Sequence, residues 1–305
     1  MDRLTVAIYS FNRGPWLANC VASVQRNLLG AQLVVVDDGS DDPETRKIIA
    51  ALGPSVQLVF PRQGDVSGRH GGLYPNMQHM LDHCDTPFLL SLQDDAQVVR
   101  PVGVEELHNL FGTMLDRRLA FVSPLFAQGR SSRRRPKIQP FGDARLFLQW
   151  NSRLRAPNLL AYRDISICNV EKLRAIDWRY GISERSCAQS ARAAFGPMPL
   201  MADPFVAFVP EVPTFRARNR TLGAQIAERI LGRQVKPFED MTDATVQRLK
   251  KRSPVSPVPA SDFLVVAGGK AKPPYEPNAV DVFRVTRFLN KMEVALRRGI
   301  SRLRG

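Results

Sequence analysis

Long apolar runs are missing from this sequence. No stretch of about eighteen consecutive apolar residues occurs, so no membrane-crossing helix is expected. The first residues, Met1 to Phe11, run straight into a strand-like pattern and lack the apolar core and small-residue cleavage site of a secretory leader. Cysteine is sparse. Cys20, Cys84, Cys168 and Cys187 stand far apart with no paired spacing, which argues against a zinc site and a disulfide framework. A reducing, cytoplasmic setting is the expectation. Histidine stops at His108. His79 and His83 lie one helical turn apart, but no H-E-x-x-H accompanies them, so a helix face is expected there rather than a metal site. G-x-G-x-x-G is absent from the first strand exit, which disfavours a standard dinucleotide site, and without G-x-x-x-x-G-K-[ST] a Walker-type ATPase is disfavoured too.

What is present suffices for a large core. The 305 residues, 44% of them hydrophobic, fit one large α/β domain or two modest ones. The net charge of +14 is uneven, with 19 Lys/Arg against 8 Asp/Glu in residues 215–305. That imbalance implies an anionic partner: nucleic acid, acidic lipid or a phosphate-bearing substrate.

The front of the chain alternates strand and helix. Leu4 to Tyr9 reads as a strand, followed by the exit loop Ser10-Phe11-Asn12-Arg13-Gly14 and a helix opened by Pro15. Leu33 to Val36 is a second strand running into Asp37-Asp38-Gly39-Ser40. Asp42 before Pro43 predicts a capped helix to about Leu52. Val56 to Phe60 is a third strand. A glycine-containing loop over 63–72 follows, then a helix over about 74–83 and a fourth strand over 88–92. This order predicts a mostly parallel, Rossmann-like sheet. Later segments read as a helix over 103–118, strand-like residues 120–125, a strand within 159–169, and a helix from Ser183 to about Phe195. Residues 198–209 are apolar and expected to cover a sheet edge. Helices are expected over 222–231 and 243–251.

Phe88 to Asp95 is the stretch around which function is expected. An apolar strand ends in two adjacent carboxylates, Asp94 and Asp95. Open α/β sheets bind ligands at the carboxyl ends of their strands, and neighbouring carboxylates repel unless a cation shares them. Oxygen ligands favour Mn²⁺ or Mg²⁺, held by one or two carboxylates together with phosphate oxygens. A metal bridging protein and diphosphate is one reading; a polar turn is the other.

Taken together, Val6 to Arg13, Leu33 to Asp42, Gly68-Arg69-His70-Gly71-Gly72 and Leu92-Gln93-Asp94-Asp95 resemble the inverting family 2 glycosyltransferases of the GT-A fold, most firmly over residues 4–100. The resemblance implies an α/β GT-A sheet with a nucleotide-sugar half (1–100), an acceptor and catalytic half (101–212) and a basic C-terminal helical extension (213–305). It implies a nucleotide-diphosphate sugar donor, UDP-sugar favoured. By the same likeness Ser10, Phe11, Asn12, Arg13, Asp37 and Asp38 contact base and ribose, and Arg69 reaches phosphate or base-edge oxygens. Asp95 takes the place of the family's direct metal ligand and Asp94 a sugar- or ribose-contacting place. Gln93 and His70 depart from the family pattern. Glu184, at a predicted helix start, takes the place of the general base, with Asp164, Asp177 and Asp203 as rivals. The family's later histidine has no counterpart.

Arg133, Arg134 and Arg135 form a basic loop, read as a solvated surface or as a phosphate or acceptor clamp. Trp178 is a candidate stacking surface for an acceptor sugar, whereas Trp16 and Trp150 read as packing residues. The implied acceptor is a glycan or a lipid-linked sugar. In the last segment, Phe288, Leu289, Met292 and Leu296 share one side of a helix, opposite Lys291 and Arg298. Such a helix suits peripheral contact with an anionic membrane, at its inner face; packing on the protein body is the alternative. A catalytically degraded module binding nucleotide or anionic polymer is the competing functional class. No zinc finger, helix-turn-helix signal or stacking-aromatic pattern supports specific nucleic-acid binding.

Overall fold

The computed structural model of the chain describes residues 3–61, 72–130, 132, 136–142, 145–151, 156–157, 160–213, 220–254 and 256–303; for 150–151, 156–157 and 298–303 only the backbone is described. The sheet that carries the site contains β1 (Leu4–Ser10), β2 (Gln32–Asp37), β3 (Val56–Val59), β4 (Phe88–Gln93), β6 (Phe121–Val122) and β10 (Ser166–Asn169). Its spatial order is β3-β2-β1-β4-β10-β6. β1 pairs in parallel with β2 and β4, and β2 with β3, while β10 runs antiparallel to both its neighbours. This is the mostly parallel sheet that the alternating pattern predicts.

Both faces of the sheet are covered, which is why its strands read as continuous apolar runs. Along β1, Leu4, Val6 and Ile8 point into one core with α1 (Gly14–Asn27) and α4 (Val104–Asp116). Ala7 and Tyr9 point into the other, with α3 (Leu73–His83), α5 (Val170–Ala175) and α6 (Glu184–Phe195). Local chemistry sets the helix starts. Asp42 accepts the Thr45 N–H at the head of α2 (Pro43–Ala50), and Ser183 accepts the Ser186 N–H at the head of α6. Trp178 is 5% exposed and packs against Phe121, Tyr180 and Phe195 in the second core.

Smaller sheets decorate this body. β7 (Ile138–Phe141), β8 (Leu146–Asn151), β9 (Ala156–Pro157) and β11 (Leu200–Met201) form one, and β5 (Ala96–Val98) pairs with β12 (Val206–Phe208) in another. The 198–209 segment, expected to cover a sheet edge, itself supplies β11 and β12 of these smaller sheets.

The C-terminal part is built into the body. It holds α7 (Leu222–Leu231), α8 (Asp243–Lys251), α9 (Ala279–Val282) and α10 (Arg284–Leu303). Phe238, Met241, Leu249, Leu264, Val266 and Tyr275 share a core with Val99, Phe126 and Ala207. Gln97, fully buried, fastens the two: its amide donates to the Phe238 carbonyl (2.7 Å) and its oxygen accepts the Phe238 N–H (2.9 Å). A side chain thereby does the work of a missing strand neighbour.

Candidate active site

Sheet register brings the site together. Ser10 lies opposite Asp37, and Tyr9 opposite Gln93, so β1, β2 and β4 end level. The ladder continues one step on each side: Asp38 N–H donates to the Ser10 carbonyl (2.9 Å) and Asp94 N–H to the Tyr9 carbonyl (3.1 Å). The exit loop of β1 is thus flanked by Asp38 and Asp94, residues far apart in sequence.

Arg13 in that loop reaches the acidic pair. Its Nη1 donates to Asp94 Oδ1 (3.1 Å) and to Asp95 Oδ2 (2.7 Å), and Phe11 N–H donates to Asp94 Oδ2 (3.3 Å). Burial pushes the Asp94 carboxyl up to about 6, against the attraction of Arg13. Burial also opposes the Arg13 charge, but Asp95 and Asp94 outweigh it and raise its pKa. One cation shared by two carboxylates relieves the repulsion that the sequence alone implies.

The acidic turn after β2 divides its labour. Asp37 is buried and accepts the Ser40 N–H (2.7 Å) and hydroxyl (2.5 Å), holding the turn. Ser40 Oγ accepts the Asn12 N–H (2.9 Å), and the Asn12 side chain bonds Asp41 on both its ends. Asn12 sits at φ 53°, a left-handed geometry that asparagine tolerates. Asp38 accepts the Gly72 N–H (2.7 Å) and the Asn76 amide (3.3 Å) at the start of α3. A Cβ on Gly72 would lie 1.8 Å from Asp38 Oδ1, so that contact requires glycine.

Further along the same edge, β10 begins beside the end of β4, with Ser166 opposite Ser91. The residues entering β10 therefore lie at the ligand side. Asp164 accepts the Tyr74 hydroxyl (3.2 Å), and its N–H donates to Glu184 Oε1 (3.4 Å). Glu184 is the exposed first residue of α6. Asp203 is engaged by Arg145 at 2.5 and 2.8 Å, and exposed Asp177 by Arg179 at 2.7 Å. Tyr74 and Asn76 were not singled out from sequence; their one legible signal is their place just after the glycine-rich motif. Arg69 and His70, and the clamp candidates Arg133, Arg134 and Arg135, lie outside the described residues.

Whether a divalent cation suits these residues turns on Asp95. Its Oδ1 is buried and has no hydrogen-bond partner among the described residues. Those residues hold no group of three or more His, Cys, Asp or Glu arranged for a metal. One carboxylate oxygen, completed by diphosphate and water, is a usual Mg²⁺ arrangement, so the donor set fits a cation that arrives with its substrate. His79 and His83 are otherwise occupied: their rings stack 4.2 Å apart, and His83 Nδ1 lies 2.8 Å from the His79 carbonyl.

The family model described as glycosyl transferase family 2 matches residues 5–165. The chain belongs to this family, and its activity class is glycosyl transfer. Among solved structures, residues 1–349 of S. aureus TarS are similar at 12% identity and TM-score 0.46, covering 82% of this chain and 69% of that one. The same fragment in complex with UDP gives 13%, 0.48 and the same coverages. A longer TarS structure gives 13% and 0.47, with 82% of this chain and 42% of that chain covered. No curated protein matches the sequence significantly.

Proposed function

We propose that this chain transfers a sugar, with inversion, from a nucleotide-diphosphate sugar (a UDP-sugar is favoured) to a glycan or lipid-linked acceptor. The observation that carries the reading is the Arg13-bridged pair Asp94 and Asp95, with Asp95 Oδ1 buried and without a hydrogen-bond partner among the described residues, on the sheet edge that also carries Asp38. In this reading the loop Ser10 to Arg13 and the turn with Asp37 and Asp38 form the nucleoside side of the crevice. Asp94 faces ribose or sugar, and Arg69 reaches the phosphates. Asp95 would hold Mn²⁺ or Mg²⁺, which supplies charge neutralisation for the leaving diphosphate.

The acceptor hydroxyl oxygen attacks the anomeric carbon as the bond from that carbon to the diphosphate oxygen breaks. The electron pair leaves with the diphosphate, and the hydroxyl proton passes to Glu184. Glu184 suits this role because it is exposed and tethered beside Asp164. Arg133, Arg134 and Arg135 are assigned to acceptor or diphosphate contacts.

The test is donor hydrolysis and transfer across a panel of nucleotide sugars, with Mn²⁺ or Mg²⁺. Asp95→Ala and Glu184→Ala are expected to lose activity. An unchanged rate in the first removes the metal role, and in the second removes Glu184 as the base. Tight nucleotide binding without turnover across the panel would favour the degraded binding module instead.

Peripheral contact with an anionic membrane belongs to the same proposal. Among the described residues no helix is long and apolar enough to cross a membrane. Support comes from α10, whose Phe288 and Leu296 are 62% and 63% exposed.

A further inference from the structure

α10 is seated by its polar side. Asn290 Oδ1 accepts the Thr221 hydroxyl (2.7 Å), and Glu293 Oε2 accepts the Leu222 N–H (2.7 Å). Thr286 is buried between them, and the helices close tightly because Gly223 has no side chain: a Cβ there would lie 2.4 Å from the Thr286 carbonyl. Amphipathic helices ordinarily bury the apolar stripe. Here Val285, Phe288, Met292 and Leu296 stay exposed, and Lys291, expected from the sequence to lie opposite that stripe, instead flanks it together with Arg284 and Arg287, because about 100° per residue sets them next to it.

A cavity of about 700 Å³ opens at the start of this helix. Of its cations, Lys236 pairs with Glu211 and Arg130 with Glu276. Lys270, Lys272, Arg284 and Arg287 also line it, and none has an acidic partner among the described residues. Two of these arginines stand in the first turn of α10, which contains no acidic residue. Cations at a helix N-terminus oppose the positive end of the dipole. These four cations and that helix end together form a setting for an anion with several oxygens.

We propose that this cavity binds the phosphate of an anionic lipid while the exposed stripe of α10 lies in the bilayer interface. The inference rests on the membrane reading above and adds a headgroup site to it. The occupant follows from the two adjoining features. A nucleic acid would satisfy the cations and leave Phe288 and Leu296 in water, whereas an anionic bilayer offers phosphate and hydrocarbon at one surface.

The experiment uses the full chain, with phosphatidylcholine vesicles with and without phosphatidylglycerol, followed by sedimentation. A pocket pair (Lys270→Ala with Arg284→Ala), a stripe pair (Phe288→Ser with Leu296→Ser) and a control pair (Arg229→Ala with Lys251→Ala) are compared, with nucleotide-sugar hydrolysis retained in all three as the check on folding. Wild type is expected to bind only the anionic vesicles. At about fivefold per cation near the surface, the pocket pair should bind about 25-fold more weakly, and the control pair should remain nearer to wild type. Short-chain phosphatidylglycerol, titrated calorimetrically, should bind wild type and not the pocket pair. Loss in the stripe pair with no difference between the pocket and control pairs upholds membrane contact and overturns the headgroup site. Inorganic phosphate binding as tightly as the short-chain lipid overturns the lipid assignment, as does equal competition by duplex RNA. If wild type ignores anionic vesicles, both readings fall.

Discussion

Arg13 Nη1 lies 2.7 Å from Asp95 Oδ2, joining the exit of β1 to the end of β4 across a separation of 82 residues in sequence. It also bonds Asp94, so removing the guanidinium leaves two partly buried carboxylates facing one another. Arg13→Gln is expected to cost about 3–5 kcal/mol, the range for removing one partner of a buried pair. Nucleotide-sugar turnover should fall at least about tenfold. Urea denaturation reads the first effect, and a midpoint equal to wild type would remove Arg13 from this role.

Asp95→Asn should separate charge from shape. The amide keeps the volume but donates where Arg13 also donates, and it offers a cation a weaker ligand. Hydrolysis in Mn²⁺ should fall by about two orders of magnitude, a modest fraction of the several kcal/mol a Lewis-acid cation supplies. Melting temperature should change little, because Asp94 still engages Arg13. Initial rates against Mn²⁺ concentration check this; an unchanged saturation curve would contradict it.

Gly72→Ala places a methyl where Asp38 Oδ1 now sits, 1.8 Å from it. Either the carboxylate swings away or α3 shifts, at about 1–3 kcal/mol for overpacking. Because Asp38 is assigned to the nucleoside, KM for the donor should rise about tenfold with little change in kcat. Gly72→Ala with wild-type KM would show that the Asp38 position is immaterial to binding.

Arg100 is fully buried beneath the second half of the chain. It donates to Glu106 and to the carbonyls of Asp203, Pro204 and Pro101. Arg100→Met strands these acceptors, and a loss of about 3–5 kcal/mol is expected. Thermal unfolding measures it, and a shift within error of wild type would refute the assignment.

The four cysteines are free and buried. Burial pushes the Cys168 thiol up to about 12 and Cys187 up to about 11. Both values lie above the usual thiol range, so the protonated form favours the fold. That contribution is complete below the unfolded-state value and is lost as pH rises through about 11 to 12. Native protein at pH 8 should therefore resist a thiol-reactive disulfide reagent and react fully once unfolded. Rapid labelling of native protein would show that these thiols are accessible.

Much of the frame was legible in the sequence because its signals are local. Asp42 before Pro43, Ser183 before Glu184 and the apolar spacings of 222–231 and 243–251 each mark a helix within a few residues. Strand–helix alternation puts the carboxyl ends of β1, β2 and β4 on one edge, whereas the register that makes them end level is a property of the folded sheet. Long-range facts were hidden. Nothing near Gln97 announces Phe238, and the short strands β5 and β12 meet only because the intervening chain folds back. Asp37 and Asp38 are equivalent letters in sequence; the Ser40 hydroxyl commits the first to its turn, and Gly72 engages the second. Periodicity showed that α10 has two faces, but which one meets the body depended on Gly223, in another helix.

Gln97 stands two positions beyond Asp95 and grips both backbone groups of Phe238. A load carried by the tail is therefore delivered within a few ångströms of the acidic tip of β4. Gln97 is thus one link by which the anchoring of the C-terminal part bears on the segment carrying the aspartates, so severing that amide should loosen both.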